Sequence, residues 1–177
     1  MKFKILTSLL LVVLFNTASF AQDYKSAVGV RGPFSGVFAN YKTYLSEKGG
    51  LDLSAGFNYG YYDFGNFDVN AAYQYDVWKV PFLEGLNLHV GGGVYAYIWT
   101  GSYKGTYNSL FNAGLMGNVG WEYTFAKIPL NLSVEYSPGF TIIGGKYADE
   151  YDQFGVLADL GRFTYHGGVT ARYILSR

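Results

Sequence analysis

Cysteine is absent from all 177 residues of the chain. Disulfide bonds, thiol chemistry and an acylated-cysteine lipid anchor are therefore excluded. The region after residue 22 also lacks sustained helical periodicity, and it contains no apolar run near 18 residues. The sequence therefore predicts neither a helical domain nor a helical membrane span.

Charge is scarce as well. Charged residues make up 15 % of the chain, against about 25 % in an ordinary soluble domain. Beyond residue 21 there are 11 basic and 13 acidic residues, so the net charge is near minus two. No basic excess is available to recruit nucleic acid.

The first 21 residues have the pattern of a secretory signal peptide. Lys2 and Lys4 precede an apolar run at 5–15, and Ala-Ser-Phe-Ala at 18–21 is a small-residue cleavage site. The apolar run is shorter than the ~20 residues that a spanning helix needs. We expect export and one domain at 22–177, which is 156 residues.

Aromatic residues and glycine are abundant, with 18 Tyr, 14 Phe and 24 Gly. They occur in segments where apolar and polar residues alternate with period two. This pattern is typical of strands that have one apolar and one polar face. In the third segment, Leu51, Leu53 and Phe57 alternate with Asp52 and Ser54. The sequence predicts eight strands at 24–32, 37–45, 51–61, 67–78, 86–98, 109–125, 130–137 and 163–175.

Eight strands can close into a barrel whose interior is filled by side chains, if the last strand pairs with the first. The apolar faces are too continuous and the polar faces too glycine-rich for a soluble barrel, so we expect lipid outside and polar residues inside. The predicted fold is all-β, an eight-stranded antiparallel up-and-down transmembrane β-barrel in the outer membrane. An even strand number places both termini, and the connections after strands two, four and six, in the periplasm.

The polar faces predict a network inside the barrel. Its members are Lys42, Asp52, Glu122, Glu135 and Arg172. Lys42 and Asp52 flank one turn and could pair across strands, and Glu135 and Arg172 lie on neighbouring strands. A proton or ion path is the alternative, but a lumen of eight strands leaves little room for one, so we expect a plug of paired charges.

His89 and His166 also face inward, and ester hydrolysis by a histidine is the catalytic alternative. The two histidines are expected near opposite ends of the barrel, and neither has a serine beside it. We therefore predict no catalytic residue and no cofactor. The acidic segment 146–159 lacks the ligand order of a calcium loop, so a solvated loop without a metal site is expected.

In these features the chain resembles the small outer-membrane β-barrel proteins that are common in Bacteroidota, and it is similar in architecture to the eight-stranded barrels of the OmpX, OmpA and OmpW type. The last strand is similar to the segment that the insertion machinery reads in such proteins, and the matching positions are His166, Gly168, Ala171 and Tyr173. The chain departs from these proteins by continuing past the aromatic residue to Arg177. The resemblance implies lipopolysaccharide, outer-membrane lipid and the barrel-assembly machinery as partners of a monomer.

The expected role is therefore structural, or surface interaction through the outward loops. Two alternatives remain open at this point: a barrel enzyme that modifies lipid A, and an exported lipocalin-like binder with an apolar interior.

Overall fold

The computed structural model describes residues 24–32, 36–59, 65–103, 106–147, 152–155 and 163–177. The expected signal peptide at 1–21 lies outside these residues. The strands are β1 (Ser26–Gly32), β2 (Gly36–Tyr44), β3 (Gly49–Tyr59), β4 (Gly65–Lys79), β5 (Leu86–Tyr103), β6 (Thr106–Thr124), β7 (Leu130–Tyr136), β8 (Pro138–Tyr147), β9 (Asp152–Gly155), β10 (Phe163–Tyr165) and β11 (Gly168–Ser176).

These strands form one closed antiparallel sheet. Strands β1 to β6 pair in chain order, and β7 and β8 follow one another along β6 as the seventh barrel strand. The eighth runs through β9 and β10 beside β8 and then through β11 beside β7. Because β11 also pairs with β1, the barrel closes, and the prediction of an all-β, eight-stranded antiparallel barrel is confirmed.

Several predicted connections are in fact strand. Glycine, serine and tyrosine at 101–107 predict a loop between the fifth and sixth strands, but most of this segment is the tip of the β5–β6 hairpin, where Tyr103 pairs with Thr106. The sequence also predicts a long connection at 144–161 before the last strand, but the part from Gly144 to Tyr147 pairs with β9. Glycine and polar residues suggested turns there, but a hairpin partner supplies the backbone hydrogen bonds that keep the chain extended.

Three irregularities bend the strands. The registers shift between Asp76 and Trp78, between Ser26 and Ala27, and between Ala113 and Gly114. A bulge inserts one extra residue, so it interrupts strict alternation and increases the local twist. Val77 and Trp78 are accordingly both exposed, although they are consecutive.

The connections between the barrel strands lie at two opposite ends of the barrel. We call the end with the turns 45–48, 80–85 and 125–129 the turn end, and the other the loop end. The turn before β5 needs a left-handed backbone at Gly85, whose φ is 88°. Glycine is favoured at that position because it has no Cβ to clash.

The interior of the barrel is polar and its exterior apolar. Lys42, His89 and Arg172 are fully buried, whereas Val94 and Leu115 on the outer face are each 54 % exposed. Among the described residues, no helix has the length and hydropathy needed to cross a membrane.

Inward glycines allow adjacent strands to approach closely. A Cβ added at Gly93 would overlap the backbone of Ala71 and Ala72, and one at Gly29 would overlap the backbone of Ala171. Glycine at these inward positions therefore leaves space in the narrow lumen for the long polar side chains of other strands.

Candidate functional site

Six charged side chains meet in the middle of the lumen, and we call them the central charge network. They are Arg31, Lys42, Asp52, Glu122, Glu135 and Arg172. Each comes from a different strand, and none is more than 3 % exposed. Three positive charges face three negative ones, so the network is balanced when all six groups are ionised.

Arg172 contacts all three carboxylates. Its Nη2 lies 2.7 Å from Asp52 Oδ2 and 3.2 Å from Glu135 Oε1, and its Nη1 lies 3.4 Å from Glu122 Oε2. The remaining donors are satisfied by neutral oxygens of Asn40, Asn131 and Ser133. The planar guanidinium suits this role because its five N–H groups point in fixed directions.

Arg31 is a second guanidinium that sequence reasoning missed. Its Nη2 lies 2.9 Å from both Asp52 Oδ1 and Glu135 Oε2. Its Nε donates to Thr170 Oγ1 at 3.0 Å. The first strand alternates weakly, but Val28 and Val30 on its outer face were a signal that Arg31 points inward.

Two ion pairs were expected inside the lumen, and the structure contains one of them. Arg172 and Glu135 are paired, as described above. Lys42 lies directly opposite Asp52 in the β2–β3 register, but it forms its ion pair with Glu122, with Nζ 2.6 Å from Oε2. The Lys42 side chain reaches across the lumen to Glu122 because both carboxylate oxygens of Asp52 are already bound by Arg31 and Arg172.

Two tyrosines cover the network at the turn end. Tyr24 donates to Glu122 Oε1 at 3.0 Å, and the hydroxyl oxygen of Tyr44 lies 3.2 Å from both that oxygen and Asp76 Oδ2, so its one hydrogen is shared between the two carboxylates. Burial, and then the nearby Glu122 carboxylate, raise the pKa of Tyr24 well above its usual value. Tyr24 therefore remains a donor. Tyr44 shares the face of Lys42, so the alternation of β2 could have identified it.

A second polar cluster lies towards the loop end. His166 Nε2 is 2.8 Å from Thr164 Oγ1, and the imidazole packs against Tyr95 with 4.1 Å between ring centroids. Tyr95 in turn shares a 2.7 Å hydrogen bond with Thr141. No carboxylate of the described residues is hydrogen-bonded to His166, so the pair lacks the group that would orient a catalytic base.

His89 is separate from this cluster. It is fully buried, and neither ring nitrogen has a hydrogen-bond partner among the described residues. The structure records no hydrogen bond or ring contact between His89 and His166 in the part it describes. They do not form one site.

The four positions of the proposed assembly signal divide between the two faces of the barrel. His166 and Gly168 are buried, whereas Ala171 and Tyr173 face outward, with Tyr173 59 % exposed. The strand does not end at Tyr173. Ile174 is buried in the barrel, and Ser176 still pairs with Ser26.

Metal ligands are not grouped in the described residues, since no set of three or more His, Cys, Asp or Glu side chains there could hold an ion. Most of the acidic segment considered for calcium, at 148–151 and 156–159, falls outside the described residues. No protein-family model, curated protein or solved structure matches the chain.

Proposed function

We propose that this chain is an outer-membrane β-barrel protein with a filled polar lumen, and that it acts structurally or through surface interactions at its loop end. The observation that carries the proposal is the reversed polarity of the barrel. Charged groups occupy the interior, while Val, Leu, Tyr, Phe and Trp side chains cover the outside.

Reversed polarity is costly in water. A soluble monomer rarely exposes a contiguous apolar patch above a few hundred Å², because apolar surface is stabilised by leaving water. In lipid the same apolar outer surface, which we call the apolar belt, is favourable. The closed sheet also satisfies the backbone hydrogen bonds that lipid cannot. The belt therefore supports a membrane location.

Aromatic pairs flank this belt at both ends. Trp78 and Trp121 lie 5.8 Å apart between ring centroids near the turn end, and Phe57 and Phe67 lie 5.1 Å apart near the loop end. Aromatic girdles at the two interfaces are typical of transmembrane barrels. The resemblance to OmpX-type barrels gives the orientation, with the turn end in the periplasm and the loop end facing lipopolysaccharide. His166, Gly168, Ala171 and Tyr173 then serve as the segment that the assembly machinery reads.

Membrane extraction tests the location. A barrel in the outer membrane fractionates with that membrane, resists carbonate and urea, and migrates differently on a gel before and after boiling. Release by carbonate without a mobility shift would instead favour the exported lipocalin-like binder. The polar interior described above is unfavourable for an apolar ligand.

The filled lumen has its own test. The central charge network occupies the middle of the barrel, so the purified protein in a planar bilayer should give only background conductance. A stable open pore would contradict this part of the proposal.

The lipid A enzyme remains the second candidate because Thr164 and His166 are within hydrogen-bond distance. Against it, the cavity beside His166 is about 10 Å³, too small for a lipid ester. Mass spectrometry of lipid A from cells with and without the gene decides this question. An altered profile, restored by the wild-type gene but not by a His166→Ala variant, would replace our proposal with the enzyme.

A further inference from the structure

Basic side chains outnumber acidic ones at the turn end of the barrel, although the chain as a whole is slightly acidic. They are Lys25, Lys48, Lys79, Lys127 and Arg177, and the described acidic residues of the same connections are Glu47 and Glu84. The chain beyond residue 21 nevertheless has more acidic than basic residues. The positive charge is therefore segregated to one end of the molecule.

Four of these cations line one open depression of about 570 Å³, which we call the basic depression. Lys25 precedes β1, Lys48 lies in the β2–β3 turn, Lys79 ends β4 and Arg177 follows β11. Of the described residues that line it, Glu47 is the only one with a carboxylate. Elements distant in sequence thus bring several positive charges around one space.

Apolar surface also lines the basic depression, beside its charges. Tyr24 and Tyr44 form the floor, and their hydroxyls are already engaged with Glu122 and Asp76, so they present aromatic rings. Leu45, which is 67 % exposed, stands at the rim. A ligand in this space meets positive charge beside apolar surface, which is the chemistry of an anionic amphiphile.

Hydrogen bonds hold the backbone beneath these cations in place. Lys25 N donates to Ser176 O at 2.8 Å, and Lys48 O accepts from Asp76 N at 2.8 Å. The guanidinium of Arg177 donates to the carbonyls of Phe125, Ala126 and Ile128. The backbone that carries Lys25 and Lys48, and the guanidinium of Arg177, are therefore held in place at this end of the barrel.

We propose that the basic depression binds the phosphate headgroup of an anionic phospholipid, whose acyl chains lie along the apolar belt beyond Leu45. Lys25 and Lys48 contact the phosphate, and Arg177 adds positive charge. The proposal rests on the membrane location proposed above, because the depression then lies at the level of the periplasmic leaflet. Basic pockets at a membrane surface attract anionic headgroups by the same electrostatics.

Native mass spectrometry of the purified barrel tests this, with phosphatidylglycerol and phosphatidylcholine as probes. We expect the wild type to retain phosphatidylglycerol selectively. The double variant K25Q/K48Q should lose roughly 25-fold in affinity for it, since each basic residue contributes about fivefold. The matched control K127Q changes a lysine of the same end outside the depression and should bind like the wild type.

Two results would overturn the proposal. A loss of about fivefold in K127Q, the same loss per charge removed as in K25Q/K48Q, would mean that only the general charge of the turn end matters. Complete displacement of phosphatidylglycerol by inorganic phosphate at the same concentration would mean that the site takes a free anion. Heat-modifiable gel mobility of each variant separates the two proposals, because a barrel that inserts without selecting phosphatidylglycerol refutes only the lipid site.

Discussion

Arg172 is the residue on which the lumen depends most. It is fully buried and is ion-paired with three carboxylates from three different strands. A buried charge without a partner costs several kcal/mol, whereas a balanced and fully hydrogen-bonded set is tolerated. The number of cations relative to carboxylates therefore matters more than any single contact.

Replacing Arg172 with Met should lower the free energy of unfolding by about 3–5 kcal/mol, because it leaves buried carboxylates short of a cation. Urea titration of the protein refolded in lipid vesicles measures this. Lys127→Met, which removes a lysine from a turn outside the network, is the control and should change stability by less than about 0.5 kcal/mol. A loss for Arg172→Met as small as that of the control would show that the network contributes nothing to stability.

Lys42 and Glu122 offer a test of charge balance. Lys42→Met and Glu122→Gln should each destabilise the barrel by about 3 kcal/mol, since each leaves an unbalanced charge. The double variant restores equal numbers of both signs, so its loss should be smaller than the sum of the two by at least about 1 kcal/mol. Strict additivity in the urea midpoints would argue that the 2.6 Å pair is energetically independent.

His89 should behave in the opposite way. Because neither of its nitrogens has a hydrogen-bond partner among the described residues, His89→Leu removes unsatisfied polar atoms from the interior. We expect the free energy of unfolding of His89→Leu to lie within about 1 kcal/mol of the wild-type value, or above that value. A loss above about 2 kcal/mol would mean that the imidazole makes an essential interaction.

At the scale of strands, alternation was sufficient to predict which face of most segments points inward. In the third strand, Asp52 and Ser54 are buried while Leu53 and Phe57 are exposed, as period two requires. Strand ends were harder to predict. The extension of the seventh strand beyond Ser137 depends on pairing with β6, β9 and β10, which are distant in sequence.

Partners across the lumen could not be predicted from the sequence either. Lys42 faces Asp52 along the sheet yet binds Glu122, which is 80 positions away in the sequence. The choice depends on strand tilt and stagger, because these decide which inward side chains share a level in the barrel. Sequence reasoning reached the five residues of the proposed network but not Arg31 or the covering tyrosines.

Adjacent glycines of β5 test the close approach of strands. Gly93→Ala should cost about 1–3 kcal/mol, because its Cβ would overlap the Ala71 backbone. Gly92→Ala is the matched control, since its Cβ would meet only Met116 O at 3.5 Å, an ordinary contact. The urea concentration at the midpoint of unfolding, measured in vesicles, should fall for Gly93→Ala and not for Gly92→Ala. Equal midpoints for both variants would mean that β4 and β5 can separate without penalty.

At the scale of the whole molecule, a charge placed on the belt distinguishes lipid from water outside. Val94 lies midway along β5 on the outer face. If this position faces the bilayer centre, Val94→Lys should lower the free energy of unfolding by about 2–4 kcal/mol. Leu45→Lys, in a turn, should cost no more than about 1 kcal/mol. The measurement is unfolding free energy in vesicles. A Val94→Lys variant of unchanged stability and improved solubility would contradict the membrane location.

The arrangement of the central charge network also constrains how the barrel is completed. Arg31 lies on β1 and Arg172 on β11, the two strands of the closing seam, and both bind Asp52 and Glu135. Arg31 and Asp52 lie on one side of the seam and Arg172 and Glu135 on the other, so until the seam forms each carboxylate can reach only one of its two guanidinium partners. The cross-seam pairs, Arg31 with Glu135 and Arg172 with Asp52, form only when β1 meets β11, so closing the barrel and completing its charge network are a single event.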